Sequence, residues 1–162
     1  MAGSRARRTI VLIDYRKLKK RLWGQTVLID TNIIIYLVEE IPPYADLARF
    51  VMRNLEDSRF SGVLSLISVA EVMQGPLRKK QSGLAQEVKS YLLTFPNITC
   101  QGIDERVLDL MGRDSRVSWK KLRSIDSLIV SCGLARNATA VLSNDLRWKR
   151  AISSDFMVSF DL

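Results

Sequence analysis

The sequence predicts an α/β fold, with a central parallel sheet of about four to five strands that is covered by helices on both faces. Short aliphatic runs alternate along the chain with longer stretches in which apolar side chains recur at helical spacing. Several of these runs end in an acidic or hydroxyl residue just before a helix, as buried strands of parallel sheets do. At 162 residues, 47% of them hydrophobic, the chain is long enough for one compact domain.

The first half of the chain predicts two strands and three helices. Strands are expected over 26–30 and 62–67, where aliphatic residues dominate. Helices are expected over 32–39, over 44–57 and from Ser68 to about Met73. The pairs Pro42–Pro43 and Gly75–Pro76 are expected to end the first and third helices, because proline lacks the amide that a helix interior needs.

The second half of the chain predicts three helices and three strands. Apolar side chains at helical spacing predict helices over 84–94, 104–116 and 125–136. Strands are expected over 98–101, 138–142 and 156–160, the last of them at an edge of the sheet. Strands that alternate with helices in this way imply a parallel sheet with both faces covered.

The positive charge of the chain is concentrated in a basic leader over residues 1–24. The leader holds eight basic side chains and one acidic side chain, which gives +7 of the formal net charge of +8. Apolar residues recur in it at helical spacing, at Val11, Tyr15, Leu18 and Leu22. The leader is therefore expected to be a strand plus an amphipathic basic helix, or to be partly disordered. Three interpretations stay open: a solvated segment, a contact for nucleic acid or a partner, and a translation start just ahead of the folded domain.

The chain contains no histidine and two cysteines. The missing histidine excludes Ser-His-Asp and Cys-His nucleophilic sites, histidine acid–base catalysis and histidine-ligated zinc. Cys100 and Cys132 form no Cys-x-x-Cys pair, so both are interpreted as reduced thiols of a cytosolic protein. The longest apolar run, 33–38, is far shorter than the roughly 20 residues of a membrane helix. We therefore expect a cytoplasmic protein without a membrane partner.

Four acidic residues follow strands or open helices. Asp30 ends the first strand, and Asp145 follows the strand over 138–142. Glu71 lies in the first turn after the second strand, and Asp126 lies at the start of a later helix. In a parallel sheet all four positions fall at the carboxyl edge, where open α/β sheets bind ligands. The topology therefore permits the four side chains to converge, although their spacing alone does not show it.

Each of these acids also has a structural explanation. Asp30 is a good helix N-cap, and Ser68-x-x-Glu71 matches a capping box. Asp126 would favour a helix N-terminus through the helix dipole, and Asp145 could belong to a turn or a cap. These readings compete with a shared functional site for the same four residues.

Convergence of the four acids would require a cation. Two carboxylates about 4 Å apart repel by roughly 4 kcal/mol at an effective dielectric constant near 20, so a cluster must take up protons or bind cations. Oxygen ligands without nitrogen or sulfur favour Mg²⁺ or Mn²⁺, which suit phosphodiester hydrolysis and need no histidine. The predicted catalytic and metal-ligating residues are Asp30, Glu71, Asp126 and Asp145.

An ordered set of four motifs includes these acids: Asp30-Thr31-Asn32 after an aliphatic strand, Ser68-x-x-Glu71, Asp126 at the start of a helix, and Ser143-Asn144-Asp145. The set resembles the PIN-domain family, and within it the VapC-type toxin ribonucleases of type II toxin–antitoxin systems. Any one motif is weak, but the ordered set is specific. The resemblance runs from about Thr26 to the C-terminus and implies a three-layer α/β/α nuclease domain over 25–162.

The resemblance further implies a Mg²⁺-dependent (or Mn²⁺-dependent) endoribonuclease, the toxin of a toxin–antitoxin pair, that hydrolyses RNA with a water activated by the metal. In such proteins the matching acids are metal ligands. Many members dimerise and are inhibited by a small antitoxin, so the expected partners are an RNA substrate, a cognate antitoxin and a second copy of the chain. The residues expected to support the site are Thr31, Asn32, Ser143 and Asn144.

The chain departs from the family pattern near the last motif. Ser143 stands where threonine is common. After Asp145 comes Leu146-Arg147-Trp148, where the family often has another acid and then a phenylalanine, which puts a fifth acid in doubt. The basic leader is not typical of the family.

Basic side chains lie before Asp126 and after Asp145 in the chain. Those before Asp126 are spaced three, four and three residues apart, which places them on one face if the helix persists. Both groups are predicted to hold RNA phosphates beside the acids, with Trp119 and Trp148 stacking on bases. The alternative is a solvated helix face with both tryptophans in the core. The candidates for RNA binding are Arg113, Arg116, Lys120, Arg123 and Arg147.

Other functions fit the sequence less well. One alternative is a catalytically weak or inactive PIN-like domain that binds RNA or protein. A phospho-acceptor signalling domain needs paired acids at the first strand and a lysine at the end of a late strand, whereas this chain has a lone Asp30 and Ser143-Asn144 there. A structure-specific DNA nuclease remains an alternative on the same fold, although the chain lacks obvious insertions for gripping duplex DNA.

Overall fold

A five-stranded parallel sheet forms the centre of the molecule, which a computed structural model describes for residues 14–160. Its strands are β1 Thr26–Ile29, β2 Ser61–Ser65, β3 Ile98–Gln101, β4 Ala140–Leu142 and β5 Met157–Val158. Their order across the sheet is β3-β2-β1-β4-β5, and every neighbouring pair is parallel. The chain builds outward from β1 to β3 and then returns to add β4 and β5 on the other side. The switch point therefore lies between β1 and β4, where doubly wound sheets place their ligands.

Helices cover both faces of the sheet, so the predicted three-layer α/β/α fold is confirmed. A short 3-10 helix spans Trp119–Lys121. The α-helices are α1 Tyr15–Leu22, α2 Thr31–Val38, α3 Tyr44–Glu56, α4 Leu66–Arg78, α5 Ser82–Thr94, α6 Glu105–Leu110, α7 Ser124–Ala135 and α8 Leu146–Ala151. None of these helices is long and apolar enough to cross a membrane.

Two main cores form on the two faces of the sheet because successive residues of a strand point to opposite faces, and a third, smaller cluster lies between α6 and α7. Val27 and Ile29 of β1 pack with α1 to α5, whereas Leu28 packs with α7 and α8. Helix α7 crosses β1 closely at Gly133, where an added Cβ would lie 2.9 Å from side-chain atoms of Leu28. This close approach sets α7 against β1 and fixes where the first turn of α7, with Asp126, meets the carboxyl edge of the sheet.

Two predicted boundaries around α4 are wrong. Strand β2 ends at Ser65, so the last two residues of the predicted 62–67 strand belong to the first turn of α4. Helix α4 also continues through Gly75 and Pro76 to Arg78. Pro76 is itself buried on the same helix face as Val69 and Val72, and this packing outweighs the helix-breaking tendency of proline.

The predicted helix over 104–116 is also wrong in length, because α6 ends at Leu110. The next residue, Met111, is extended with a ψ of 128°, and Gly112 follows with a φ of +82°, a left-handed conformation that glycine adopts without steric cost. Helix α8 was not predicted, and the last strand is shorter than the expected 156–160.

Helix α1 places part of the basic leader against the folded domain. Asp14 caps it by accepting a hydrogen bond from the Lys17 amide at 3.1 Å. Leu18 and Leu22 are buried in the core on the α1–α5 face. The position of Val11 in the predicted apolar pattern, and the first part of the leader, lie outside the described residues.

Candidate active site

Asp30 lies at the centre of the site, directly after β1 and at the N-cap of α2. Its Oδ1 accepts a hydrogen bond from the Thr31 amide at 2.7 Å. Its Oδ2 accepts one from the Ser143 hydroxyl at 2.5 Å. Only 6% of the residue is exposed, so the carboxyl is held rigidly in a largely dry environment.

Burial raises the pKa of the Asp30 carboxyl from 3.8 to about 7. The hydrogen bonds from Ser143 and Thr31 oppose this rise, whereas the negative charges of Asp145 and Asp126 add to it. Asp30 therefore lies within electrostatic range of both other aspartates. A carboxyl that is partly protonated at neutral pH and faces two further acids is stabilised in its charged form by a nearby cation.

Asp145 reaches this site from β4, through Ser143. The Asp145 amide donates to the same Ser143 oxygen at 3.1 Å, and its Oδ1 accepts from the Arg147 amide at 2.7 Å as the N-cap of α8. Ser143 thus bridges Asp30, after β1, and Asp145, after β4. The motif acids that follow these adjacent strands therefore share one hydroxyl group as a hydrogen-bond partner.

Asp126 lies in the first turn of α7 and is 5% exposed. Burial raises its pKa, but hydrogen bonds from Arg123 and Trp148 outweigh that effect and hold the pKa of Asp126 below its usual value. Arg123 Nε donates to Asp126 Oδ2 at 3.0 Å, and Arg147 Nη1 lies 3.7 Å from the same oxygen. Two arginines therefore neutralise this carboxylate.

Glu71 lies at the rim of the site, on the exposed side of α4. The pKa of Arg123 is raised mainly by Asp126, with smaller contributions from the charges of Asp145 and Glu71. Arg123 is therefore close enough to all three acids for their charges to affect its pKa. The fourth predicted acid faces the same region but is more solvated than Asp30.

The capping-box interpretation of Ser68 and Glu71 is wrong. Ser65 is the residue that caps α4, with its hydroxyl accepting from the Ile67 amide at 3.2 Å. Ser68 is instead buried and accepts a hydrogen bond from the Thr31 hydroxyl at 2.8 Å. This contact joins α2 to α4 and so holds Glu71 on the Asp30 side of the molecule.

The two asparagines of the motifs differ in their bonding. Asn144 donates to the Tyr36 hydroxyl at 3.2 Å and accepts from Lys149 Nζ at 3.4 Å. The Oδ1 atom of Asn32, in the first turn of α2, is buried without a hydrogen-bond partner among the described residues. A buried acceptor without a donor is costly, so this oxygen is a candidate contact for a bound group.

Within residues 14–160, no group of three or more acidic or cysteine side chains is close enough to hold a metal ion as the side chains stand. Asp126 Oδ2 instead contacts Arg123 and Arg147.

The prediction that the basic residues before Asp126 share one helix face is wrong, because no helix spans 113–123. Arg113 and Arg116 line a cavity of about 440 Å³ with Asn137 and Thr139, at the amino end of β4 and away from the acids. Arg116 is paired with Asp114 at 2.7 Å and stacks on Phe156. Lys120 lies exposed in the 3-10 helix.

Two of the predicted basic residues do reach the acids, and a third residue was missed. Arg123 and Arg147 both contact Asp126. Lys121 lines a cavity of about 480 Å³ together with Asp145 and Arg147. The sequence pattern does not single out Lys121. Its place beside Asp145 follows from the fold, because the 3-10 helix that carries it packs against α8.

The base-stacking prediction is wrong for Trp148. Trp148 is 1% exposed and belongs to the core between the sheet and α7. Trp119 is partly buried, and its indole donates to the Asp114 carbonyl at 3.0 Å. The alternative of tryptophans packed in the core describes Trp148 correctly.

Comparison with known proteins gives one family match. The family model described as PIN domain matches residues 27–152, and so spans β1 to the end of α8 and all four motif acids. No curated protein matches the chain significantly.

The fold is similar to several solved structures. VapBC2 from Rickettsia felis bound to a promoter DNA fragment is 21% identical with a TM-score of 0.58, and the match covers 84% of this chain and 99% of that chain. DNA-bound VapBC from Salmonella typhimurium is 17% identical with a TM-score of 0.60, covering 84% and 98%. Mycobacterium tuberculosis VapC20, described as a sarcin–ricin loop cleaving toxin, is 11% identical with a TM-score of 0.50, covering 80% and 92%.

Proposed function

The chain belongs to the PIN domain family, and from this premise we propose that it is a metal-dependent endoribonuclease, the toxin of a toxin–antitoxin pair. The observation that carries the proposal is the position of Asp30, buried at the switch point of the sheet and within range of the charges of Asp126 and Asp145. A folded protein keeps such a group of acids together only at an electrostatic cost, which a bound cation removes.

The residues present fit Mg²⁺ or Mn²⁺. The available donors are carboxylate oxygens and the Oδ1 of Asn32, which has no hydrogen-bond partner within residues 14–160, and hard divalent cations prefer oxygen ligands. The residues that would hold the ion are Asp30, Glu71, Asp126 and Asp145. When bound, the ion would supply a water of lowered pKa and would neutralise charge on the scissile phosphate.

The hydroxyl-bearing residues keep the site in place. Ser143 fixes the orientation of Asp30 and also receives the Asp145 amide, so both acids share one anchor. The Thr31 amide donates a hydrogen bond to Asp30 and so orients its carboxylate. The Thr31 hydroxyl donates to Ser68 and so holds α4 in place. Ligands held by such hydrogen bonds lose little freedom when the ion and the substrate bind.

Arg123 and Arg147 have the charge and the position to bind RNA phosphates beside the acids. Both contact Asp126, at the edge of the acid group. Their guanidinium groups could hold substrate phosphates near the acids. The exposure of both side chains, 66% and 45%, leaves room for these contacts.

The similar solved structures support a protein partner. Those from Rickettsia felis and Salmonella typhimurium are VapBC complexes bound to DNA, and one from Klebsiella pneumoniae is described as a toxin–antitoxin complex. We infer that this chain pairs with a cognate antitoxin and forms a homodimer, and that it acts on RNA in the cytoplasm. The RNA target is supported by VapC20, which is described as cleaving the sarcin–ricin loop.

A second candidate function is a PIN-like domain that binds RNA or protein with little or no catalysis. The pairing of Asp126 with Arg123 and Arg147 favours it, because the two arginines compete with a cation for this carboxylate. The two functions differ in whether Mg²⁺ binds and whether RNA is cut.

The experiment compares purified wild-type chain with Asp30→Asn in an RNA cleavage assay, with Mg²⁺ and with EDTA. We expect Mg²⁺-dependent cleavage by the wild type and none by Asp30→Asn, although that variant folds. Asp57→Asn is the matched control, since Asp57 is exposed at the end of α3, on the amino side of β2. Cleavage by Asp30→Asn equal to wild type would refute the assignment, and RNA binding without cleavage in the wild type would favour the second candidate.

A further inference from the structure

A basic pocket lies between α1 and the end of the chain. It encloses about 290 Å³ and is lined by Lys17, Leu18 and Arg21 of α1, by Lys149 of α8, and by Met157 and Val158 of β5. Its cationic side chains surround an apolar floor. Most of its lining residues lie before residue 27 or after residue 152, outside the stretch that matches the family model.

Arg21 builds this pocket by fastening α1 to the segment that leads into β5. Its Nη2 donates to the carbonyl oxygens of Ser154 at 3.0 Å, Asp155 at 3.3 Å and Met157 at 3.0 Å. Leu18, at the edge of the pocket, and Leu22 are buried in the core. The wall formed by α1 is therefore a fixed part of the fold, and Lys17, one turn before Arg21, is exposed at the pocket.

Lys149 contacts both the pocket and the last motif of the candidate active site. Its Nζ donates to Asn144 Oδ1 at 3.4 Å, next to Asp145 in the chain. Lys149 also lines the pocket. A single RNA chain bound at the acids could therefore also reach the pocket.

We propose that this pocket binds a nucleotide of the single-stranded RNA substrate on one side of the cleavage point, with its phosphate held by Lys17 and Lys149. This inference rests on the proposed function. The charge of the pocket is complementary to phosphate, and the small apolar part of its wall comes from Leu18, Met157 and Val158, which are otherwise buried. The volume is just below the range of about 300–1,000 Å³ for small-ligand sites, which suits one nucleotide and not a folded RNA.

The test measures RNA binding without cleavage. The Asp30→Asn chain is titrated in EDTA with a fluorescein-labelled oligouridylate of about 12 nucleotides, and the anisotropy is followed at several salt concentrations. Lys17→Gln in this background should weaken binding several-fold and lower the slope of log K against log salt by about 0.7, the value for one phosphate contact on a single strand. Because Lys17 is exposed and donates only its amide to Asp14, the variant should keep the wild-type Tm.

Lys20→Gln is the matched control, since Lys20 carries the same charge on the same helix, is exposed and does not line the pocket. It should change the affinity much less than Lys17→Gln does. Equal losses in the two variants would overturn the proposal, because the effect would then be one of net charge alone. Unchanged RNA binding in Lys17→Gln would overturn it as well. The favoured ligand of the pocket would then be an acidic segment of a partner protein.

The two proposals can fail separately. In the wild-type background, Lys17→Gln should raise KM for an RNA of about 12 nucleotides but not for one of about 4 that is too short to span both sites. If the wild type cuts no RNA, the nuclease proposal fails while the binding difference between Lys17→Gln and Lys20→Gln still decides the role of the pocket.

Discussion

The Ser143 hydroxyl donates a hydrogen bond of 2.5 Å to the buried carboxylate of Asp30, and so links the residue after β4 to the residue after β1. These two strands are neighbours at the switch point of the sheet although 113 positions separate the residues in the chain. The bond lowers the pKa of Asp30 against the larger effect of burial, which raises it. The Ser143 hydroxyl therefore favours the charged form of Asp30, which is the form that can bind a metal ion.

Replacing Ser143 tests that role. Ser143→Ala should raise the pKa of Asp30 further and weaken Mg²⁺ binding and RNA cleavage by about 10- to 100-fold, the usual effect of losing a hydrogen bond to a metal ligand. Ser143→Thr keeps the hydroxyl and should retain most of the activity. Isothermal titration with Mg²⁺ and cleavage rates would measure both effects, and equal losses in Ala and Thr would show that the hydroxyl is not responsible.

The raised pKa of Asp30 predicts how the stability of the metal-free protein depends on pH. The folded state holds this proton up to about pH 7, whereas the unfolded state releases it near 3.8. Between these values the folded state binds more protons, so the free energy of unfolding should fall as pH rises and level off above about 7. Asp30→Asn should remove this contribution.

The measurement is the Tm in EDTA at several pH values from 4 to 8, in the wild type and in Asp30→Asn. Adding Mg²⁺ should raise the wild-type Tm most at the alkaline end, where Asp30 is charged, and should leave that of Asp30→Asn nearly unchanged. A pH profile identical in the two proteins would contradict the assignment of a raised pKa to Asp30.

Arg147 should contribute to RNA binding more than to folding. Its side chain is 45% exposed, and its contact with Asp126 is long at 3.7 Å. Arg147→Gln should weaken RNA binding several-fold in EDTA and lower its salt dependence, with little change in Tm. Arg53→Gln, at an exposed position near the end of α3, is the control for loss of charge alone. If both variants bind RNA equally well, Arg147 has no specific role.

Gly133 should be essential for the packing of α7 on β1. A Cβ there would lie 2.9 Å from two side-chain atoms of Leu28, which is 0% exposed and has no room to move. Gly133→Ala should therefore lower the free energy of unfolding by about 1–3 kcal/mol, as overpacking of a core does. It should also displace Asp126 and reduce cleavage.

Gly83→Ala provides the contrast within another helix. An added Cβ at Gly83 meets nothing within 4 Å, so alanine in α5 should raise stability by about 0.5–1 kcal/mol. Urea unfolding of the two variants measures the difference. A Gly133→Ala chain as stable as the wild type would mean that α7 can shift away from β1 without cost.

Local patterns predicted most of the elements, because they depend on neighbouring residues. The aliphatic run before Asp30 identified β1, and the helical spacing of Leu18 and Leu22 identified α1. Predictions failed where a local preference competed with a distant contact or with backbone geometry. Pro76 stays inside α4 because it is buried, and the helix after Asp104 ends early, with Gly112 left-handed two residues beyond it.

The α/β class, the family resemblance and the four acids at strand ends and helix starts could be predicted from residue types and short spacings. The bridging of Asp30 and Asp145 by Ser143, the position of Arg113 and Arg116 away from them, and the basic pocket that α1 forms beside Lys149 could not be predicted in this way. These relationships join residues far apart in the chain. They depend on strand order, helix ends and burial, which arise only when the whole sheet and both of its cores assemble.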